Sequence, residues 1–179
     1  KIDSIISSAV QEEIIRDDFK KYVDANWVYE RDTIPVEVRL KGDWTDHLIS
    51  GSVSYRVKTA DDFAFRGLTS FSIQHPKTRN YMHEWFMHEW FEKEGLLSTR
   101  YDFLQVNVND SYEGVYALEE HFDKQLLESR NRREGPILKL DETGFWALAV
   151  LAREKGENKL IAPFYQASIP TCFKENRTL

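Results

Sequence analysis

The chain has 179 residues, 41% hydrophobic and 13% aromatic, enough apolar mass to pack one domain, or one domain and part of a second. Its charged residues make up 30%, are mixed in sign and sum to a formal −6, which excludes general disorder and argues against a nucleic-acid partner. One cysteine, Cys172, excludes an internal disulfide framework and a cysteine-built zinc site, and no apolar run reaches the length of a membrane-spanning helix.

From Ile2 to about Val23 the apolar residues Ile5, Ile6, Val10, Ile14, Ile15, Phe19 and Tyr22 recur at helical spacing, which predicts an amphipathic helix. The period changes at Trp27-Val28-Tyr29, and Glu30-Arg31-Asp32 forms a charged break. Pro35 to Leu40 alternates apolar and polar residues and reads as a strand with one buried face. Lys41-Gly42-Asp43-Trp44 is a turn or loop. Further strands are predicted at Val53–Lys58 and Ser70–Ile73. Thr78–Glu94 reads as a helix capped by Thr78, stopped by Gly95 and heavily buried through Tyr81, Met82, Trp85, Phe86, Trp90 and Phe91.

Strands at Phe103–Val108 and Gly114–Leu118 are joined by a hairpin turn over Asn109–Gly114. A short helix is predicted from about Glu120 to Ser129, then a basic loop Arg130–Arg133, a strand at Ile137–Leu140, a helix over Gly144–Glu154 and a tail of mixed signals. Short connections favour an antiparallel sheet with helices on one face.

The stretch His83 to Glu94 contains His-Glu-Trp-Phe twice, which raises a zinc-protease reading on His83, Glu84 and His88. A helical metal pair needs histidines four apart. His83 and His88 are five apart, which separates them by about 140° around a helix. Glu84 and His88 do share a face, and with Asn80 they form a polar stripe on an otherwise apolar helix.

Four stretches carry a further signal: VEVRLKGDWTDHL with SVSYRVK, FSIQHPKTRNYMHEW, YDFLQVNVNDSYEGVYALEEHFDKQLLE, and GPILKLDE. They contain Arg39-Leu40-Lys41-Gly42, Ser54-Tyr55-Arg56, Arg79-Asn80, Asn109 with Gly114, Tyr116 and Glu120, and Leu138-Lys139. In this order they resemble the CotH kinase family, the spore-coat-protein-type atypical protein kinases, over about residues 27 to 142. Before the Ser-Tyr-Arg strand, where that family has Pro-Lys-Lys, this chain has Gly51-Ser52-Val53.

The resemblance implies an α+β fold. A twisted antiparallel sheet of about five to six strands would carry a packed central helix, as in the N-terminal lobe of a kinase, with flanking helices. It divides the chain into an N-terminal helical segment (1–26), the sheet-plus-helix lobe (27–142) and a C-terminal helix and tail (143–179) leading to a second lobe. It further implies ATP and Mg²⁺ as cofactors of a longer parent. Gly42 would lie near the phosphates, Arg56 or Lys58 would be the phosphate-binding cation, Glu84 the carboxylate that holds it, and Glu119-Glu120 would run near the adenine edge. The catalytic and metal-binding aspartates would lie in the second lobe, so this portion is expected to be inactive alone. Implied partners are a protein substrate and the remaining lobe, and the implied setting is bacterial: cell envelope, exported or spore coat. Two other readings stand beside this one: a non-catalytic structural or interaction module with the same fold, and a metallohydrolase on His83, Glu84 and His88.

Overall fold

Alternating apolar and polar residues build one six-stranded sheet. The structure, a computed structural model, describes residues 2–12, 15, 17–42, 47–48, 53–60, 63–137, 139–141, 144–145, 148, 151–152, 155–156 and 166–168. They fall into two units, Lys1–His121 and Phe122–Leu179.

In the first unit helix α1 (Ile2–Glu12) precedes strands β1 (Val23–Tyr29), β2 (Asp32–Leu40), β3 (Tyr55–Thr59) and β4 (Ser70–Gln74). Helix α2 (His83–Lys93) follows, then β5 (Tyr101–Val108) and β6 (Ser111–Glu120). The sheet order is β1-β2-β3-β4-β6-β5, antiparallel at every pairing. The α+β class and the antiparallel sheet expected from the sequence are therefore present, with six strands.

One face of this sheet is the core. Ile34, Val36 and Leu40 of β2, Val57 of β3, Phe71 and Ile73 of β4, and Tyr116 and Leu118 of β6 are buried there. Ile2, Ile5, Ile6 and Ala9 of α1 pack against them, joined by Ile15 and Phe19. Trp27 of β1 closes one side, with its ring 5.0 Å from Phe65 and 5.1 Å from Phe71. Rings at these separations and tilts gain quadrupole attraction beyond their buried area.

Three elements differ from the sequence reading. The first helix ends at Glu12, a 3₁₀ turn covers Asp17–Phe19, and Val23 already belongs to β1. Ile15, outside any helix, and Phe19, in the 3₁₀ turn, reach the core from outside α1, so their spacing mimics a longer helix. The second helix does not begin at Thr78. A 3₁₀ turn occupies Pro76–Arg79, capped by the His75 side chain, and Asn80 and Tyr81 then turn into the left-handed region with φ of 51° and 60°. Asn suits that conformation because its short polar side chain tolerates it. Gly95, at φ 71°, does stop α2: its N–H reaches Glu92 O at 3.0 Å and that of Leu96 reaches Phe91 O at 2.8 Å, a Schellman ending. No residue of α2 is buried, contrary to the expectation of a heavily buried helix. Finally, Glu119 and Glu120 end strand β6, and the helix expected from Glu120 begins only at Lys124.

The β5–β6 turn is two residues, Asn109 and Asp110, both at positive φ, as a tight hairpin of right-twisted strands requires. Gly114, read as part of that turn, instead sits beside the bulge where the register shifts between Val106 and Asn107, at φ 101°.

The second unit contains α3 (Lys124–Ser129), whose N–H at Leu126 is capped by Asp123 Oδ1 at 3.2 Å, and a strand pair β7 (Lys139–Asp141) and β8 (Gln166–Ser168). Gly144, Phe145, Leu148, Leu151 and Ala152 are helical, within the expected helix. Residues 43–46 of the first loop, 51–52 before β3, 153–154 at the end of that helix and most of the tail, Cys172 included, lie outside the described residues. Among the described residues no helix is long and apolar enough to cross a membrane.

Candidate functional site

The face of the sheet opposite the core is polar. Strand alternation and register fix a row of directly opposed residues across it: Arg39 on β2, Arg56 on β3, Ser72 on β4, Glu119 on β6 and Tyr101 on β5. Lys41, two residues past Arg39, and His121, two past Glu119, continue the same side.

The centre of this row is an ion pair between Lys41 Nζ and Glu119 Oε2, with both side chains mostly covered. Gln74 Nε2 donates to the same carboxylate oxygen at 3.3 Å. Beside it His121 bridges three groups. Its Nδ1 lies 2.6 Å from Ser70 Oγ, its Nε2 lies 2.8 Å from Ser72 Oγ, and Arg56 Nε donates to Nε2 at 3.2 Å. A nitrogen that accepts from a guanidinium carries no proton, so the ring proton sits on Nδ1 and is donated to Ser70.

Helix α2 packs on β5 and brings a second charged pair to this side. Arg79 Nε lies 3.0 Å from Glu84 Oε2, and His88 Nε2 lies 4.0 Å from Glu84 Oε1. The His88 ring stacks on Tyr101 at 5.2 Å, and its Nδ1 lies 2.7 Å from Ser98 Oγ. Burial, and then the Glu84 charge, push the Tyr101 phenol up to about 12, so it stays protonated as a donor.

The electrostatics show how crowded with cations this face is. Burial pushes the Glu119 carboxyl up, but the charge and hydrogen bond of Lys41 and the nearby Arg79 and His88 outweigh it and hold it below the ordinary carboxylate value. Lys41 is depressed, first by burial and then by Arg79 and Arg56, which oppose the attraction of Glu119. Arg56 is lowered by burial and by Arg39. Among the described residues, Arg39, Lys41, Arg56 and Arg79 gather around Glu84 and Glu119, four cations to two carboxylates in a partly dry surface.

The depressed Glu119 has a pH consequence. The unfolded chain binds a proton at a higher pH than the folded one, so this group stabilises the fold above the ordinary carboxylate value of about 4.3. The contribution is lost as pH falls through the lower folded value. Urea unfolding of the wild type and Glu119→Gln should give midpoints that differ near neutral pH and converge in acid; a gap that widens on acidification would contradict this assignment.

The sequence model of the family described as CotH kinase protein matches residues 38–166, most of the chain, and includes the charged row from Arg39 to His121. The chain belongs to the CotH kinase family. No curated protein matches it.

Within the CotH frame the sequence-derived site residues fall in different places. Gly42 follows Lys41 at φ 97°, and the side where a Cβ would project is filled by the buried His47 ring. That packing alone demands glycine here. Arg56 lies on the polar row and bonds His121. Lys58 lies farther along the same face, exposed, opposite Glu37 in register. Glu84 approaches the site from α2, but its cationic partner is Arg79. The carboxylate that holds a strand-side lysine is Glu119, which reaches Lys41 across 78 positions of sequence. His83 is exposed and His88 turns toward Ser98 and Tyr101, so the two repeated histidines serve different surroundings. Lys41, Arg79 and His121 are not among the residues the sequence singles out as a site, and Glu119 enters there only as a residue near the adenine edge. Lys41, Glu119 and His121 continue the polar alternation of β2 and β6, whereas Arg79 comes from the 3₁₀ turn and carries no such signal.

Proposed function

We propose that the polar face of this sheet is the nucleotide-binding surface of a CotH-type atypical protein kinase. The chain would supply the nucleotide-binding lobe, with a second lobe required for phosphoryl transfer to a protein substrate. The observation that carries the reading is the Lys41–Glu119 pair set among Arg39, Arg56 and Arg79. A lysine held in place by a carboxylate, with further cations around it, is the arrangement that kinases aim at ATP phosphates. Arg56 and Arg79 would share the phosphate charge, Glu84 would orient Arg79, and Lys58 would lie at the outer rim. Gly42 would let the backbone after Lys41 turn close to the phosphates.

The donor set suits a triphosphate: the described residues of this surface carry a net positive charge that an anion would complete. It does not suit Mg²⁺. Glu84 and Glu119 are both engaged by cations, and the described residues gather no three carboxylate, His or Cys side chains that could hold a metal ion. Mg²⁺ ligands and the catalytic base are therefore assigned to the second lobe.

A form of the protein that includes both lobes should bind ATP with Mg²⁺ at one site per chain in isothermal titration. It should also transfer phosphate to a protein acceptor. Absence of any nucleotide heat would remove the reading. The second reading is a non-catalytic module of the same fold. It is favoured by Gly51-Ser52-Val53 in place of the lysine pair, and nucleotide binding without transfer in the two-lobed form would support it.

A further inference from the structure

The cations of the polar face are not all held alike. Lys41 is paired with Glu119 and Arg79 with Glu84. Arg39 and Arg56 stand directly opposite one another across β2 and β3, and among the described residues neither has a carboxylate in ion-pair contact. Arg39 meets neutral groups: its Nη1 donates to Leu40 O at 2.9 Å, and its guanidinium lies 5.5 Å from the centre of the Tyr22 ring. Like charges set opposite one another on paired strands repel. Burial and then the Arg39 charge lower Arg56 accordingly. Two half-buried arginines so placed oppose each other in the fold alone, and a bound anion relieves that repulsion.

Arg56 is held by an imidazole rather than a carboxylate. Its Nε donates to His121 Nε2 at 3.2 Å. The ring is fixed in turn by Ser70 Oγ at 2.6 Å and Ser72 Oγ at 2.8 Å. Ser72 is fully buried, so the ring is anchored in the sheet itself. A carboxylate in that place would also hold Arg56 but would cancel its charge. A neutral ring nitrogen fixes the guanidinium through Nε and leaves the charge whole. The two Nη groups of Arg56 make no hydrogen bond among the described residues. A guanidinium fork left in that state, beside a second arginine, matches a pair of phosphate oxygens.

We propose that His121 is a positioning residue for an anion seat formed by Arg39 and Arg56. This deepens the nucleotide reading, on which it rests for placing the ligand's phosphates here. The test is isothermal titration of a form that includes both lobes, with ATP and separately with inorganic tripolyphosphate. His121→Gln and His121→Glu differ in charge and little in shape, and both can accept from Arg56 Nε. The glutamate should weaken both ligands at least about tenfold more than the glutamine does, because it neutralises Arg56. Its melting temperature should nevertheless match or exceed that of the glutamine variant, since Arg56 gains a carboxylate partner. A purely structural role would move affinity and stability together. In an Arg56→Gln background the gap between the two His121 variants should shrink below about threefold, as coupling through Arg56 requires. Should either His121 variant fail to fold, Arg56→Lys decides. It keeps the charge but lacks the Nε that His121 holds, and it should weaken tripolyphosphate about tenfold. Equal ATP affinity in the two His121 variants, a gap that persists without Arg56, or an Arg56→Lys protein that binds like wild type overturns the proposal and leaves the nucleotide reading standing. Tripolyphosphate bound with the expected gap, but no ATP bound, removes the nucleotide reading and keeps the anion seat. A wild type that binds neither overturns both.

Discussion

On the proposed nucleotide-binding reading, Lys41→Met is expected to lower nucleotide affinity about 10- to 100-fold in a form that includes both lobes, the worth of one charge-assisted hydrogen bond to phosphate. The argument starts from geometry. Lys41 is mostly covered, and Glu119 fixes its ammonium in place. A positioned charge loses little entropy on meeting its ligand, whereas an exposed one gains little from it. Lys58, exposed at the rim, is the internal control, and Lys58→Met should cost less than about threefold. The fold should tolerate Lys41→Met with a loss of about 1 kcal/mol, because Arg79 and Gln74 remain near Glu119 after the lysine is gone. Isothermal titration reads the first quantity and urea unfolding the second. Equal losses for the two lysines would show that the paired position has no special standing.

Glu120→Ala is the substitution expected to damage the fold most. Glu120 sits at the end of β6 on the core side, 1% exposed. Its carboxylate accepts from Arg100 N at 2.9 Å and from Arg100 Nη2 at 2.8 Å. Arg100 in turn donates to the carbonyls of Arg66 at 3.0 Å and Gly67 at 3.4 Å, so the carboxylate anchors the turn between Phe65 and Leu68 as well as β5. Alanine would strand a backbone N–H and a part-buried guanidinium together and leave a cavity. The expected loss is about 3 kcal/mol, less than for a fully buried pair because the Arg100 head reaches solvent. A melting point lower by about 10 °C should follow. Glu120→Gln, which keeps an acceptor, should recover part of the loss. A melting point for Glu120→Ala within a degree of wild type would mean the pair carries no stability.

The sequence made most of the sheet legible and left its relations obscure. Strands β2, β3 and β4 show clean alternation because one face meets the core and the other meets polar partners. β1 did not announce itself, since it is an edge strand with large residues on both sides: Trp27 packs inward while Val28 is 68% exposed. The first helix looked too long because Ile15, from irregular backbone, and Phe19, from a 3₁₀ turn, occupy the core at nearly helical spacing. The second helix was correctly placed in its later turns, but periodicity tells only that a helix has two sides. It does not tell which side the sheet receives, and here the sheet takes His88 and Glu84. The charged face follows the same rule. The candidates Arg56 and Glu84 lie on it, yet the choice of Lys41 for Glu119 and of Arg79 for Glu84 depends on how β2, β6 and the 3₁₀ turn meet in space. Nothing local in the chain specifies that choice.

Glu119 and Glu120 are chemically identical neighbours, and the pleat sends them to opposite sides of one sheet. The first belongs to the polar, mostly covered face and the second to the buried interior. An altered charge on the polar face and an altered core anchor therefore originate at adjacent codons. A change at the first position acts on the Lys41 pair of the polar face, and a change at the second on the Arg100 anchor of the core side. The boundary between tolerance and damage is a single peptide bond wide.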